Sequence, residues 1–259
     1  MKARGKRYRS AYEQVDRDRR YEPAEAVALL KRTASTKFDE TVELHIRLGL
    51  NVRHAEQQLR GTLPLPHGLG KDISVAVFAK GDAARAANEA GADFVGADDL
   101  AERVEAGWTD FDVAVATPDM MSTVGKLGRI LGPQGKMPNP KVGTVTDDVD
   151  KAVEESKAGK VEYRTDRQAI VHLTIGKASF HARNLLENYA AVMEEIVRAR
   201  PAAAKGRYIL SVTVTTTMGP GIRVDPSRTR EAEIVTASSG DGAEPAESES
   251  APAEEPAPA

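Results

Sequence analysis

Between residues 71 and 159 the chain alternates short apolar runs with helical stretches, and this alternation constrains the fold most. "DISVAVFA" is followed by "GDAARAANEAGA", read as a helix capped by Asp82 and stopped at Gly91. "DFVGA" leads into "DDLAERVEAG", a helix from Asp98 to Gly107. "FDVAVA" leads into "TPDMMSTVGKLGRIL", with Pro118 in the first turn, and "TDDVDKAVEESKAG" closes the series at Gly159. Strands that each feed a helix return as parallel neighbours, with helices over both faces. The span 68–159 therefore reads as a Rossmann-like, three-layer α/β domain.

The flanks follow another pattern. "YEPAEAVALLKRTAS" reads as a helix, with Pro23 in its first turn. "DETVELHIRLGL" alternates, placing Val42, Leu44, Ile46 and Leu48 on one face and Glu43, His45 and Arg47 on the other. "GKVEYRTDRQAIVHLTIG" reads as a β-hairpin and "FHARNLLENYAAVMEEIVRARP" as a long amphipathic helix. In "LSVTVTTTMGPG", Leu210, Val212 and Val214 point one way, and Ser211, Thr213, Thr215 and Thr217 the other. Neither flank can close a core alone. Residues 1–67 and 160–230 together make a discontinuous antiparallel α+β domain, into which the α/β domain is inserted through two glycine-containing linkers that suggest a hinge.

Charge separates the same regions. The flanks carry 26 basic and 15 acidic residues, a balance of +11, against 10 and 16, or −6, for 68–159. The tail 231–259 has eight acidic residues and no Lys or Arg; its Ala, Glu, Pro and Ser bury too little apolar surface to fold, so it is expected to be disordered. With no cysteine, disulfides and thiolate sites are excluded. The basic start, "MKARGKRYRSAYEQ", lacks the apolar core of a secretory signal, and no run is long enough to cross a membrane. A cytoplasmic protein with no membrane partner is expected.

Three features of the basic flanks converge on RNA. The hydroxyls of 211–217 suit phosphates and ribose 2′-OH groups, and Met218-Gly219-Pro220 adds a flexible apolar surface, a small residue and a fixed turn. Lys37, Phe38 and Thr41 combine a charge, a ring and a hydroxyl just before a strand. Arg164, Arg167, His172 and Lys177 lie on or beside the hairpin. Each alone also fits a solvated face or, for Phe38, core filler. An enzyme is the competing reading. Asp82, Asp98 and Asp119 follow strands at the edge where α/β sheets bind ligands, but helix caps for the first two and a first-turn position for Asp119 explain them more simply. "GPQGKMPNPKVGT" lacks the Ser or Thr and the feeding strand of a P-loop, and the five histidines show no metal-ligand spacing. No catalytic residue, metal or cofactor is expected.

In order along the chain come "KRYR", "KFDETVELH", "RGTLPLPHGLGK", "EAGADFVGADDL", "GWTDFDVAVATPDMM", "GKLGRILGPQGKMPNPKVGTV", "KAGKVEYR" and "VTTTMGP". Over residues 1–230 the chain resembles the bacterial large-subunit ribosomal proteins of the L-one family. The resemblance implies a structural constituent of the large ribosomal subunit. Its discontinuous domain would grip the stalk region of 23S rRNA. Its inserted domain would swing beside the tRNA exit site and assist release of deacylated tRNA. It also implies a translational repressor that binds its own operon mRNA. The RNA-contacting set it implies is Lys37, Phe38, Thr41, Glu43, Arg164, His172, Lys177, Thr215, Thr217, Met218, Gly219 and Pro220. Gly221 departs from the pattern, which has a serine there, and the acidic tail lies outside it.

Overall fold

The computed structural model describes residues 5–227, so the acidic tail lies outside the described residues. The elements, in order, are α1 (Lys6–Glu13), α2 (Pro23–Thr33), β1 (Thr41–Leu48), β2 (Arg60–Pro64), β3 (Val75–Phe78), α3 (Gly81–Glu89), β4 (Phe94–Gly96) and α4 (Asp98–Glu105). There follow β5 (Val113–Ala116), α5 (Met121–Val124), α6 (Gly128–Leu131), α7 (Val149–Lys157), β6 (Lys160–Arg164), β7 (Ile170–Lys177), α8 (Ala182–Arg198), β8 (Ile209–Thr216) and β9 (Ile222–Val224).

These strands form three sheets. One is four-stranded and antiparallel, in the order β7-β1-β8-β9; one pairs β2 with β6; and one is parallel, in the order β4-β3-β5. In β1 the alternation resolves as read. Val42, Leu44, Ile46 and Leu48 are buried, in one core with Val171, Leu173 and Ile175 of β7, Val212 and Val214 of β8, and the apolar faces of α2 and α8. Both helices pack on the same side of this sheet.

The parallel sheet is packed on both faces. Ala76, Phe78, Ala114 and Ala116 face a core shared with α4 and the helical stretch 118–131, while Val75, Val77 and Val115 face α3 and α7. Strands buried on both sides need continuous apolar runs, and β3 is Val-Ala-Val-Phe, buried throughout.

Four details differ from expectation. Residues 118–131 are not one helix but four short pieces, alternately 3₁₀ and α, with Gly125 and Gly128 among them. Glycine weakens a helix interior by about 1 kcal/mol relative to alanine, which favours these breaks. The expected hairpin is also split: β6 pairs with β2, β7 pairs with β1, and one isolated bridge, Thr165 to Val171, joins the two. Leu210 does not face the core. The register shifts between Arg47 and Leu48, which leaves Leu210 exposed and puts Ile209 inside. Finally, neither Asp82 nor Asp98 caps a helix: the N-cap positions are Lys80 and Ala97.

The two linkers between these regions touch. Gly159 has φ +94°, and a Cβ there would lie 2.7 Å from Gly68 Cα. Asn188, fully buried on α8, donates to the carbonyls of Ile175 (2.8 Å) and Gly68 (3.2 Å) and accepts from the His67 N–H (3.1 Å). One side chain thus ties the first linker to the antiparallel sheet.

Candidate nucleic-acid interface

With α2 and α8 on one side of the four-stranded sheet, the other side carries its polar residues in rows. Thr174, Glu43 and Thr215 lie abreast on β7, β1 and β8; His172, His45, Thr213 and Arg223 form the next row, and Ile170, Arg47 and Ser211 the one beyond. The His45 and His172 Nδ1 atoms are 2.9 Å apart, so in the neutral pair one ring donates and the other accepts. Burial lowers the pKa of His45, His172 beside it lowers it further, and only Glu43 opposes. Glu43, an acid on a basic face, has its carboxylate 3.5 Å from His45 Nε2.

The end of this face is built around a buried carboxylate. Glu40 is 2 % exposed, and it accepts from the Met218 N–H at 3.0 Å and the Thr36 N–H at 3.3 Å. Its main-chain carbonyl accepts from the Ala178 N–H at 2.8 Å. Three chain segments therefore meet on one residue. Burial raises the Glu40 pKa, but the adjacent Thr216 hydroxyl, which makes no well-formed hydrogen bond among the described residues, and the bonded amides of Met218 and Thr36 outweigh it, and the carboxyl titrates below its ordinary value. The anchored segments present Phe38, 54 % exposed, and Met218, 50 % exposed. Phe38 is not core filler. Nothing in the sequence marks Glu40 apart from its neighbours Asp39 and Glu43; the only available signal was its place between the aromatic and the strand.

Comparison with known proteins decides what kind of chain this is. Residues 30–220 match the model of the ribosomal protein L1p/L10e family. The large ribosomal subunit protein uL1 of Thermobifida fusca (strain YX) is 60 % identical over 229 residues, covering 88 % of this chain and 97 % of that protein. The chain belongs to the ribosomal protein L1p/L10e family. As a member it is a structural protein and not an enzyme.

Ten of the twelve residues that the family pattern singles out fall into three groups. Thr41, Glu43, His172, Lys177 and Thr215 lie on the uncovered face, and Lys37, Phe38, Thr217 and Met218 crowd its Glu40 end. Lys177 Nζ donates to Thr41 Oγ1 at 2.9 Å, holding the charge at the start of β1. Arg164 stands apart on β6, opposite Arg60, beside a hollow of about 320 Å³ that also takes in Arg53, Asp166 and Arg167. Asp166 Oδ2 lies 3.4 Å from His172 Nε2 and so connects that hollow to the sheet face.

The turn residues act partly on the protein itself. Thr217 Oγ1 is not free, because it accepts from the Thr41 N–H at 3.0 Å. Thr216, between two members of the hydroxyl ladder, is buried beside Glu40. A Cβ at Gly219 would overlap Thr216 Oγ1, so glycine there fits the protein's own interior rather than making room for a partner. Pro220 is buried, and its part is to fix the turn.

The carboxylates of the parallel sheet do not converge. Asp82 is nearly fully exposed and sits 3.4 Å from Arg85 Nη1, while Asp98 accepts from Lys80 Nζ at 2.8 Å. Asp119 is in the first turn of a 3₁₀ helix. Among the described residues no group of His, Asp and Glu could hold a metal ion.

Proposed function

We propose that this chain is a structural constituent of the large ribosomal subunit and that the uncovered sheet face grips the stalk region of 23S rRNA. One observation carries the reading. A sheet with α2 and α8 packed on one side presents hydroxyls, imidazoles and Lys177 on the other, where α1 borders only the Thr213–Arg223 edge, and ends in exposed Phe38 and Met218. Hydroxyls and amides match riboses and phosphates, and exposed apolar side chains on a polar face match unstacked bases. The similar protein of Thermobifida fusca is named a large ribosomal subunit protein, which supports the same assignment.

Residues 1–67 with 160–230 form the RNA-gripping domain in this reading, and 68–159 a second domain that swings on the Gly68–Gly159 contact. Bound in the cytoplasmic ribosome, it forms the mobile stalk and assists release of deacylated tRNA at the exit site. The same face binds the chain's own operon mRNA and represses its translation. Titrating the full chain against a stalk fragment of 23S rRNA and an unrelated hairpin of equal length tests the central claim. Tight binding to the first and weak, strongly salt-dependent binding to the second is expected; equal affinity for both would overturn it.

A further inference from the structure

The polar face continues past the family's RNA set. Among the described residues five large apolar side chains are exposed: Tyr12, Phe38, Val197, Leu210 and Met218. Phe38 and Met218 mark the Glu40 end. Tyr12 and Leu210 stand near the opposite end of β8, beside two hollows that share Thr213 and Arg223. The first, about 260 Å³, is walled by Tyr8, Tyr12, Arg17 and Gly221 besides the shared pair. The second, also about 260 Å³, runs past Ser211 to Leu210 and Arg20. The hydroxyls at 217, 215, 213 and 211 thus lead from one apolar pair to the other, and Thr217 and Thr213 lie roughly 13 Å apart at strand spacing.

The walls of the first hollow are held in place. Arg223 Nη1 donates to the Arg17 carbonyl at 3.0 Å, and Arg17 Nη1 donates to the Tyr12 hydroxyl at 3.0 Å. Tyr8 and Tyr12 lie with ring centroids 5.9 Å apart, tilted by 30°. Among the described residues neither Arg17 nor Arg223 has an ion-pair partner; Arg17 lies over one face of the Tyr12 ring, its Cζ 5.5 Å from the centroid, so a base would use the rest of that ring. On α1, Lys6 and Arg7 are exposed nearby in sequence. Gly221 keeps the floor low, since a Cβ there would lie 3.0 Å from the Thr213 methyl.

We propose that this double hollow takes an unpaired nucleotide of the bound RNA, its base on Tyr12 and its phosphate against Arg17 and Arg223. The proposal rests on the sheet face being the RNA-binding surface. It adds α1 and the α1–α2 connection, which contribute nothing to the family's residue set, and extends the footprint the length of β8. Stacking on an exposed ring suits any base, whereas the guanidiniums supply the salt-sensitive part.

The test is binding of the stalk fragment of 23S rRNA to the full chain and its variants across a salt series. Tyr12→Ala is expected to weaken binding roughly 5- to 100-fold, while Tyr12→Phe, which keeps the ring, stays near the parent chain. Arg17→Gln should lower the slope of log K against log[salt] by about 1. If Tyr12→Ala loses α1 and melts early, Arg17→Gln alone decides. Should both variants bind within about twofold of the parent, with its salt slope, while Phe38→Ala binds weakly, the hollow is no subsite and the face remains the RNA surface. If the parent chain does not prefer the stalk fragment to an unrelated hairpin, the face and the hollow fall together.

Discussion

The antiparallel and parallel sheets use similar residue types to opposite ends. In the parallel sheet both faces are packed, so every side chain of β3 is buried and only strand ends and loops remain for a partner. In the antiparallel sheet α2 and α8 lie on one side, and β1 alternates between full burial and a polar platform. Two phenylalanines express the difference: Phe78 is 0 % exposed and Phe38 54 %. A covered face contributes stability, and an uncovered one is the surface proposed here for recognition. The charge balance follows the same division, with the basic excess in the residues that build the platform.

The largest effect should come from the covered sheet. Phe78→Ala removes a fully buried ring and should cost about 3–5 kcal/mol of stability in thermal or urea unfolding. If the two regions are separate domains, stalk-RNA affinity should persist where the parallel sheet has melted. An affinity lost in step with that melting would make the two sheets one cooperative unit.

Next in size is Glu40→Ala, the one change expected to damage fold and binding together. It leaves the part-buried amides of Met218 and Thr36 without their acceptor, a loss of roughly 1–3 kcal/mol. Because both loops carry an exposed apolar side chain, RNA affinity should fall as well. The lowered pKa fixes the sign of a pH dependence. As pH falls below the ordinary value of 4.5, the unfolded carboxyl takes up its proton before the folded one does. The stability is therefore full above that value and disappears as pH drops through the lowered one. Glu40→Gln should flatten this acid limb.

Phe38→Ala should do the reverse of Phe78→Ala. With the ring mostly in solvent, the unfolding midpoint should scarcely move, while stalk-RNA affinity falls by about 1–3 kcal/mol, the usual worth of a stacked base. A drop in stability with unchanged affinity would mean that the ring serves the fold.

What could be read in advance divides along the same line. The alternation of β1 and the apolar runs of β3 and β5 are local patterns, and local patterns survive into the structure. The split of the expected hairpin was not legible, because β6 takes its partner from β2, about a hundred residues earlier in the chain. Nor was the shift that turns Leu210 outward, since a register slip of one residue reverses every facing and leaves no trace in composition. In the interface, the hydroxyl ladder and Phe38 were visible as residue types. Glu40 was not, because a buried acid is defined by the amides that surround it, and these come from segments close in space but distant in sequence.

The smallest expected effect concerns the carboxylates at the ends of the parallel strands, where a helix-start role and an enzyme's ligand site are the competing readings. The structure assigns the helix start of α4 to another residue: Asp99 Oδ1 accepts from the Ala97 N–H at 2.8 Å, and this main-chain bond is the leading cause of its lowered pKa. Asp99→Ala should therefore cost on the order of 1 kcal/mol in unfolding experiments. Asp82 reaches only Arg85, on the same exposed helix surface, and an i,i+3 pair in full solvent is worth a few tenths of a kcal/mol at most. Asp98 loses only its bond to exposed Lys80 and a long one to Thr123. Asp82→Ala and Asp98→Ala should each leave the unfolding midpoint indistinguishable from that of the parent chain, with unchanged stalk binding. Magnesium should raise the melting temperature of neither the parent nor the variants. A magnesium-dependent rise in the parent that vanished in the Asp82→Ala/Asp98→Ala double variant would return a ligand site to this edge, and the covered sheet would then carry a function of its own.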